Sequence, residues 1–98
     1  MKIVFLEQAV ADLVWFKRYY QEVFQSGAIG AARHYRRSMD LLAVHPMAGR
    51  EVEGGVREWP IRRTPFCVIY RLKSERIEVL RIWDKRADNS DAFPEDEA

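Results

Sequence analysis

VREWPIRRTPFCVIYRLKSERIEVLRIWDKR, residues 56–86, is the stretch on which the fold turns. Within it Phe66, Val68, Tyr70 and Leu72 alternate with Cys67, Ile69, Arg71 and Lys73, the two-residue period of a strand with one face on a core. Residues 56–63 read the same way, with Trp59 and Ile61 on one face and Glu58, Pro60 and Arg62 on the other. Thr64-Pro65 is a turn between them, and Lys73-Ser74-Glu75-Arg76 makes a tight hairpin. The last strand, 77–83, breaks alternation where Val79 and Leu80 are adjacent, so it is expected to be central in the sheet or bulged.

Working outward, residues 2–6 form a short β-branched strand. A helix is predicted over 7–24, because Leu13, Phe16, Tyr20 and Phe24 fall on one face. Ser26-Gly27 breaks it, and a second helix over 28–44 carries Ile29, Ala32, Tyr35, Met39 and Leu42 as its apolar stripe. His45-Pro46 ends that helix, since the residue before proline avoids helical geometry. The short break implies an antiparallel helical hairpin. Residues 46–55, with Pro46 and three glycines, read as a loop. The order β-α-α-β-β-β predicts an α+β fold: a small antiparallel-rich sheet with the N-terminal hairpin packed on one face and the other face open. One domain is expected over 1–98, with 88–98 an acidic tail ordered only with a partner.

The formal charge of +1 hides a division. Residues 1–49 carry a net +2, residues 50–86 a net +4 and residues 87–98 a net −5. A basic body with an acidic tail fits an ordinary solvated surface or an anion-facing site. Cys67 is the sole cysteine, so no internal disulfide can form, which argues against a stapled extracellular scaffold. Residues 1–5 are too short an apolar run for a signal peptide, and no run approaches a membrane span. A soluble cytoplasmic protein is expected.

Several chemistries find no support. The glycines lack the strand and helix context of a phosphate loop. His34, His45 and Cys67 do not make a metal-ligand set, so neither metal nor cofactor is expected. His34 lies off the helical stripe, and Cys67 reads as a small apolar filler. What remains is arginine: Arg57, Arg62, Arg63, Arg71, Arg76, Arg81 and Arg86 all fall in or beside the last strands. Strand parity sends Arg62 and Arg71 to the face away from the helices, where planar guanidinium forks suit phosphate or carboxylate. Trp15 and Tyr19 sit one turn apart on the first helix, offset from its core stripe. They either widen the core or anchor a partner helix.

Three segments carry a family resemblance. KIVFLEQAVADLVWFKRYY, residues 2–20, looks like the strand-plus-helix opening of ParE-type toxins, with its Asp-Leu pair and late tyrosine. HPMAGREV, residues 45–52, is similar to their Pro-x-x-Gly connection, and residues 56–88 resemble their three-strand core running into Lys85-Arg86. The resemblance covers about residues 2–88 and implies a toxin of the ParE/RelE superfamily, neutralised by a co-expressed ParD-like antitoxin that wraps it. No membrane partner and no sequence-specific nucleic-acid binding by the toxin alone are implied.

The superfamily divides into RelE-like ribosome-dependent messenger ribonucleases, which work without metal through basic residues and a C-terminal tyrosine, and ParE-like poisons of DNA gyrase. Where the RelE pattern places two basic strand residues, this chain has Glu58 and Pro60. Where it has arginine before Val-Ile-Tyr, Cys67 stands, and its tyrosine is approached only by Phe93, which has no hydroxyl. Arg86 matches and Arg62 lies near. The resemblance therefore points to gyrase inhibition without catalysis, with Arg81, Lys85 and Arg86 toward the target. Trp15, Tyr19, Arg62 and Arg71 are expected to bind antitoxin. The alternatives are a divergent ribonuclease using Arg62, Arg86 and Glu58, or a non-toxic antitoxin-binding homologue.

Overall fold

The computed structural model describes residues 1–86; the expected acidic tail, 88–98 with Phe93, lies outside them. The elements are β1 (Lys2–Phe5), α1 (Glu7–Arg18), a π turn (Tyr19–Val23), a 3-10 turn (Gln25–Gly27), α2 (Ala28–Val44), β2 (Arg50–Glu53), β3 (Val56–Pro60), β4 (Phe66–Lys73) and β5 (Arg76–Asp84). They build one five-stranded sheet in the order β1-β5-β4-β3-β2. β1 runs parallel to β5, and the other neighbours are antiparallel.

The α+β architecture expected from the sequence is present, with one more strand. β2 falls inside the segment read as a loop. Its signal was local: Gly54-Gly55 adopt φ of 56° and 83°, the paired positive values of a two-residue hairpin, between two short runs that then pair Glu53 with Val56. The β4–β5 hairpin closes in the predicted place, with Ser74 and Glu75 also at positive φ and Lys73 opposite Arg76. β5 is both central and bulged: Ile69 faces Arg81 while Tyr70 faces Val79, leaving Leu80 as the extra residue. β3 is shorter than predicted and ends at Pro60.

Phe66, Val68 and Tyr70 from β4 and Ile77, Val79 and Ile82 from β5 meet Ala9, Phe16, Tyr20, Ala31 and Leu42 from the helical hairpin. The helical stripes differ in part from the sequence reading. Phe24 and Ile29 are exposed at 49% and 78%, and Ala32 is exposed too. Tyr35, Met39 and Leu42 of α2 do pack on the core, and Ala31 and Ser38 are buried where the first turns were expected to bury Ile29 and Ala32. Gly27 is needed at the break between the helices: a Cβ there would come within 2.5 Å of the Phe24 ring. The sheet face expected to be open carries a second apolar cluster of Val56, Cys67, Ile69 and Leu80, with Leu6, Val52 and Trp83 against it. The bulge contributes Leu80 to that face.

The Pro46-to-Gly49 connection is held by one hydroxyl. Tyr70 Oη donates to the Pro46 carbonyl at 2.8 Å and accepts from the Gly49 N–H at 2.8 Å. A Cβ on residue 49 would sit 2.5 Å from that oxygen, so only glycine allows the approach. Tyr70→Phe keeps the ring but strands a buried donor and its acceptor. It is expected to lower the unfolding free energy by about 1–3 kcal/mol, seen as a lower urea midpoint at unchanged m-value.

Candidate functional site

β1 ends at Phe5, so only the first half of β5 has a strand on that side. Leu6 extends the ladder by donating its N–H to the Val79 carbonyl at 3.0 Å, and α1 then starts. Beyond that point β5 would leave polar backbone unpaired, a costly state inside a packed flank. Asp12, one and a half turns into α1, fills the gap. Its Oδ2 accepts the Ile82 N–H at 3.0 Å and Arg81 Nε at 2.7 Å, while Oδ1 accepts Arg81 Nη2 at 3.1 Å. The pair is largely shielded, with 16% and 20% of the side chains exposed, and its bidentate geometry is the strong form of the interaction. The Arg81 guanidinium also lies 4.8 Å from the Trp83 ring.

This anchor lays α1 so that Trp15 and Tyr19 follow Asp12 along the β5 side. Their rings meet edge to face at 6.1 Å. The two rings differ in their surroundings. Tyr19 is half-buried and touches Tyr20 at 4.9 Å and Phe66 at 5.7 Å, widening the core, whereas Trp15 is 47% exposed. The π turn makes the arrangement possible: the Phe24 N–H reaches back five residues to the Tyr19 carbonyl at 3.0 Å, turning Tyr19 and Tyr20 together toward Phe66. No feature of the sequence announced that turn.

Arg86 joins the flank from the end of β5. Its Nε and Nη2 donate to the two oxygens of Asp84 at 3.0 and 2.8 Å, and Nη1 reaches Tyr19 Oη at 3.3 Å with the guanidinium 5.2 Å from the Tyr19 ring centre. Hydrogen bonds from Arg86 hold the Asp84 carboxyl below its ordinary range, and Asp84 in turn raises Arg86. Of the residues expected to serve antitoxin and target, Trp15, Tyr19, Arg81 and Arg86 are thus gathered on one edge. Lys85, exposed beside Arg86, is tied to the β3–β4 turn by its N–H on the Pro65 carbonyl at 2.8 Å.

The two remaining arginines do not share a face. Arg71 points away from the helices as parity predicts, donating to Glu78 Oε1 at 2.9 Å. Glu78 also accepts from Arg76 at 2.7 Å, and these bonds, Arg76 first, lower its carboxyl below the usual range. Arg62 departs from the expectation. It lies past the end of β3, in the turn, and lines a pocket with His34, Arg37, Ser38 and Leu41 of α2 and with Trp59. Strand parity fails there because the chain has left the ladder after Pro60.

Glu58, Pro60 and Cys67 come together on the sheet face away from the helices, Pro60 opposite Cys67. Glu58 is bound by Arg50 at 3.0 Å, and the Cys67 thiol donates to Glu58 at 3.9 Å. Burial, then the nearby carboxylate, push that thiol up to about 12, so it stays neutral. Ribonuclease chemistry would want several free cations around a phosphorane; at these positions stand a carboxylate, a ring and a thiol, and Arg50 beside them is paired with Glu58. Arg62 and Arg86 of the alternative set engage α2 and Tyr19 respectively, apart from Glu58. Among the described residues no group of three or more His, Cys, Asp or Glu is placed to hold a metal, and no helix is long and apolar enough to cross a membrane.

The structure is thus a helical hairpin on a mixed five-stranded sheet, with aromatic and basic side chains on one flank. The chain belongs to the ParE toxin family: residues 3–89 match the family described as ParE toxin of type II toxin-antitoxin system, parDE. It is similar to a solved chain described as "Chromosomal ParDE TA system from P. aeruginosa", at 29% identity and a TM-score of 0.65, over 84% of this chain and 92% of that one. No curated protein sequence matches it.

Replacing Asp12 tests the anchor. Asp12→Ala leaves Arg81 without its carboxylate and the Ile82 N–H unpaired, and is expected to cost about 2–4 kcal/mol of stability. Amide exchange at Ile82 and a thermal melt against the wild type measure both consequences.

Proposed function

We propose that the chain is a toxin that inhibits DNA gyrase, acts in the cytoplasm without metal or cofactor, and is silenced by a ParD-like antitoxin. Membership of the ParE toxin family carries the toxin–antitoxin part of this reading. At Glu58, Pro60 and Cys67 the nearby Arg50 is taken up by Glu58 and the thiol is neutral, which favours inhibition by binding over messenger cleavage. Lys85 and Arg86 are the target contacts, with Arg81 behind them. Because both forks of Arg81 are taken up by Asp12, its part is to set the end of β5 rather than to reach outward.

For the antitoxin, an apolar helix is expected on Trp15 and Tyr19, with an acidic segment toward Arg71. The contact between Tyr19 and Arg86 adds a mechanism. An antitoxin seated on Tyr19 covers the residues that face the target, so neutralisation is direct occlusion. Arg62 opens on another surface, beside α2.

The test is supercoiling and cleavage-complex formation by gyrase with the purified toxin, with and without antitoxin. Inhibition relieved by antitoxin is expected. Growth arrest with unaffected gyrase and cut transcripts would transfer the reading to a ribonuclease using Arg62, Arg86 and Glu58; neither effect would leave a non-toxic antitoxin-binding homologue. Separately, Trp15→Ala with Tyr19→Ala should weaken antitoxin binding by about 2 kcal/mol, roughly thirtyfold in Kd. Calorimetric titration of a double variant with wild-type circular dichroism checks it.

A further inference from the structure

Most arginines of the described chain are held in ion pairs: Arg18, Arg50, Arg57, Arg71, Arg76, Arg81 and Arg86 each have a carboxylate. Of the five without one among the described residues, Arg36 stands beside Tyr35 and Met39, and the other four converge on one surface. Arg33 and Arg37 of α2 and Arg62 and Arg63 of the β3–β4 turn make no ion pair or hydrogen bond among the described residues. Asp40, one turn along α2 from Arg37, pairs with none of them. All four act on His34: desolvation and then the charges of Arg37, Arg63, Arg62 and Arg33 lower its affinity for a proton. Like charges brought together without a counter-charge repel, and the fold supplies nothing in the described residues to offset that.

The surface is concave. His34, Arg37, Ser38, Leu41, Trp59 and Arg62 line a pocket of about 400 Å³, a volume in the range of small-ligand sites. Its wall is mixed: the Arg37 and Arg62 guanidinium groups and the His34 imidazole stand with the Trp59 indole and Leu41. The turn that presents Arg62 is rigid, since Thr64 Oγ1 donates to the Ile61 carbonyl at 2.8 Å and accepts the Phe66 N–H at 3.1 Å. It also carries strain. Arg63 has φ of 59°, in the left-handed region where glycine or asparagine is at ease, so a cation stands where a smaller residue would be more stable.

We propose that this pocket, between α2 and the 61–65 turn, binds single-stranded nucleic acid without regard to sequence. Phosphates lie on Arg37 and Arg62 with Arg33 and Arg63 at the rim, and one base packs against Trp59. Guanidinium forks match phosphate oxygens in pairs, and a cationic groove with an aromatic platform is the combination that holds unpaired strands. A duplex keeps its bases stacked inside and offers nothing to the indole, so the single strand is the form selected. An acidic peptide would meet the same charges but would leave the flat aromatic wall without a stacking partner. The site is on a different surface from the Tyr19–Arg86 flank, and it stands whether or not gyrase is the target.

The experiment is fluorescence anisotropy of a labelled twelve-residue oligothymidylate with the purified full-length chain, at several salt concentrations. Micromolar binding is expected, with a log–log salt slope of about −2 to −3, as for three or four phosphates on a single strand. Arg37→Ala with Arg62→Ala should weaken binding about tenfold or more and flatten the slope by about 1.4. The charge-matched control, Lys2→Ala with Lys73→Ala, removes two cations elsewhere and should change it less than about twofold. Trp59→Phe, which retains an aromatic ring in the core, should weaken the single strand more than a duplex of equal charge. No binding at low salt, equal losses in the arginine and lysine variants, or displacement by polyglutamate at matched charge would each overturn the proposal, the last in favour of an acidic protein segment.

Discussion

The carboxylate of Asp12 on the open half of β5 is the contact on which the rest of this structure leans. A four-residue β1 cannot cover a nine-residue β5, so the last strand would run on with bare backbone along one edge. A single side chain from α1 closes that edge, bonding both the Ile82 amide and the Arg81 fork. Because these groups are 69 and 70 residues apart in the chain, the bond ties the beginning of the fold to its end. Once α1 is fixed there, its next turns carry Phe16 onto Phe66 at 5.0 Å, and Trp15 and Tyr19 onto the flank where Arg86 arrives.

The same bond explains why counting arginines along the last strands misleads. The sequence shows a row of them, and a row of cations reads as a surface awaiting an anion. In the folded chain most are already answered: Arg71 and Arg76 by Glu78, Arg81 by Asp12, Arg86 by Asp84. These pairs chiefly organise the sheet, since partly exposed ion pairs add little to stability and bidentate ones chiefly fix geometry. Among the described residues the arginines without a carboxylate lie on α2 and in the turn, at Arg33, Arg36, Arg37, Arg62 and Arg63, and residue order does not separate them from the paired ones.

What could be read from residues alone was whatever depends on neighbours in sequence. β4 came from strict alternation, the Ser74-Glu75 hairpin from its spacing, and the bulge at Leu80 from two adjacent apolar residues in a strand of otherwise alternating character. The ParE resemblance, the helical hairpin and the absence of basic side chains at positions 58, 60 and 67 also followed from residue order. β2 is equally local in its signal, Gly54-Gly55, but its four residues carry three charges and lie in a stretch whose proline and glycines read as a loop.

Tertiary structure decided the rest, for a physical reason common to each case. The π turn at Tyr19 exists because packing against Phe66 rewards turning two tyrosines inward, which no local propensity encodes. Arg62 faces α2 because the ladder ends at Pro60, after which parity carries no information. Which arginine is neutralised depends on carboxylates brought from elsewhere in the chain, and charge acts through space at distances that sequence spacing does not measure. The order of residues determined the fold and the family of this protein; only the folded chain determined which of its charges remain available to a partner.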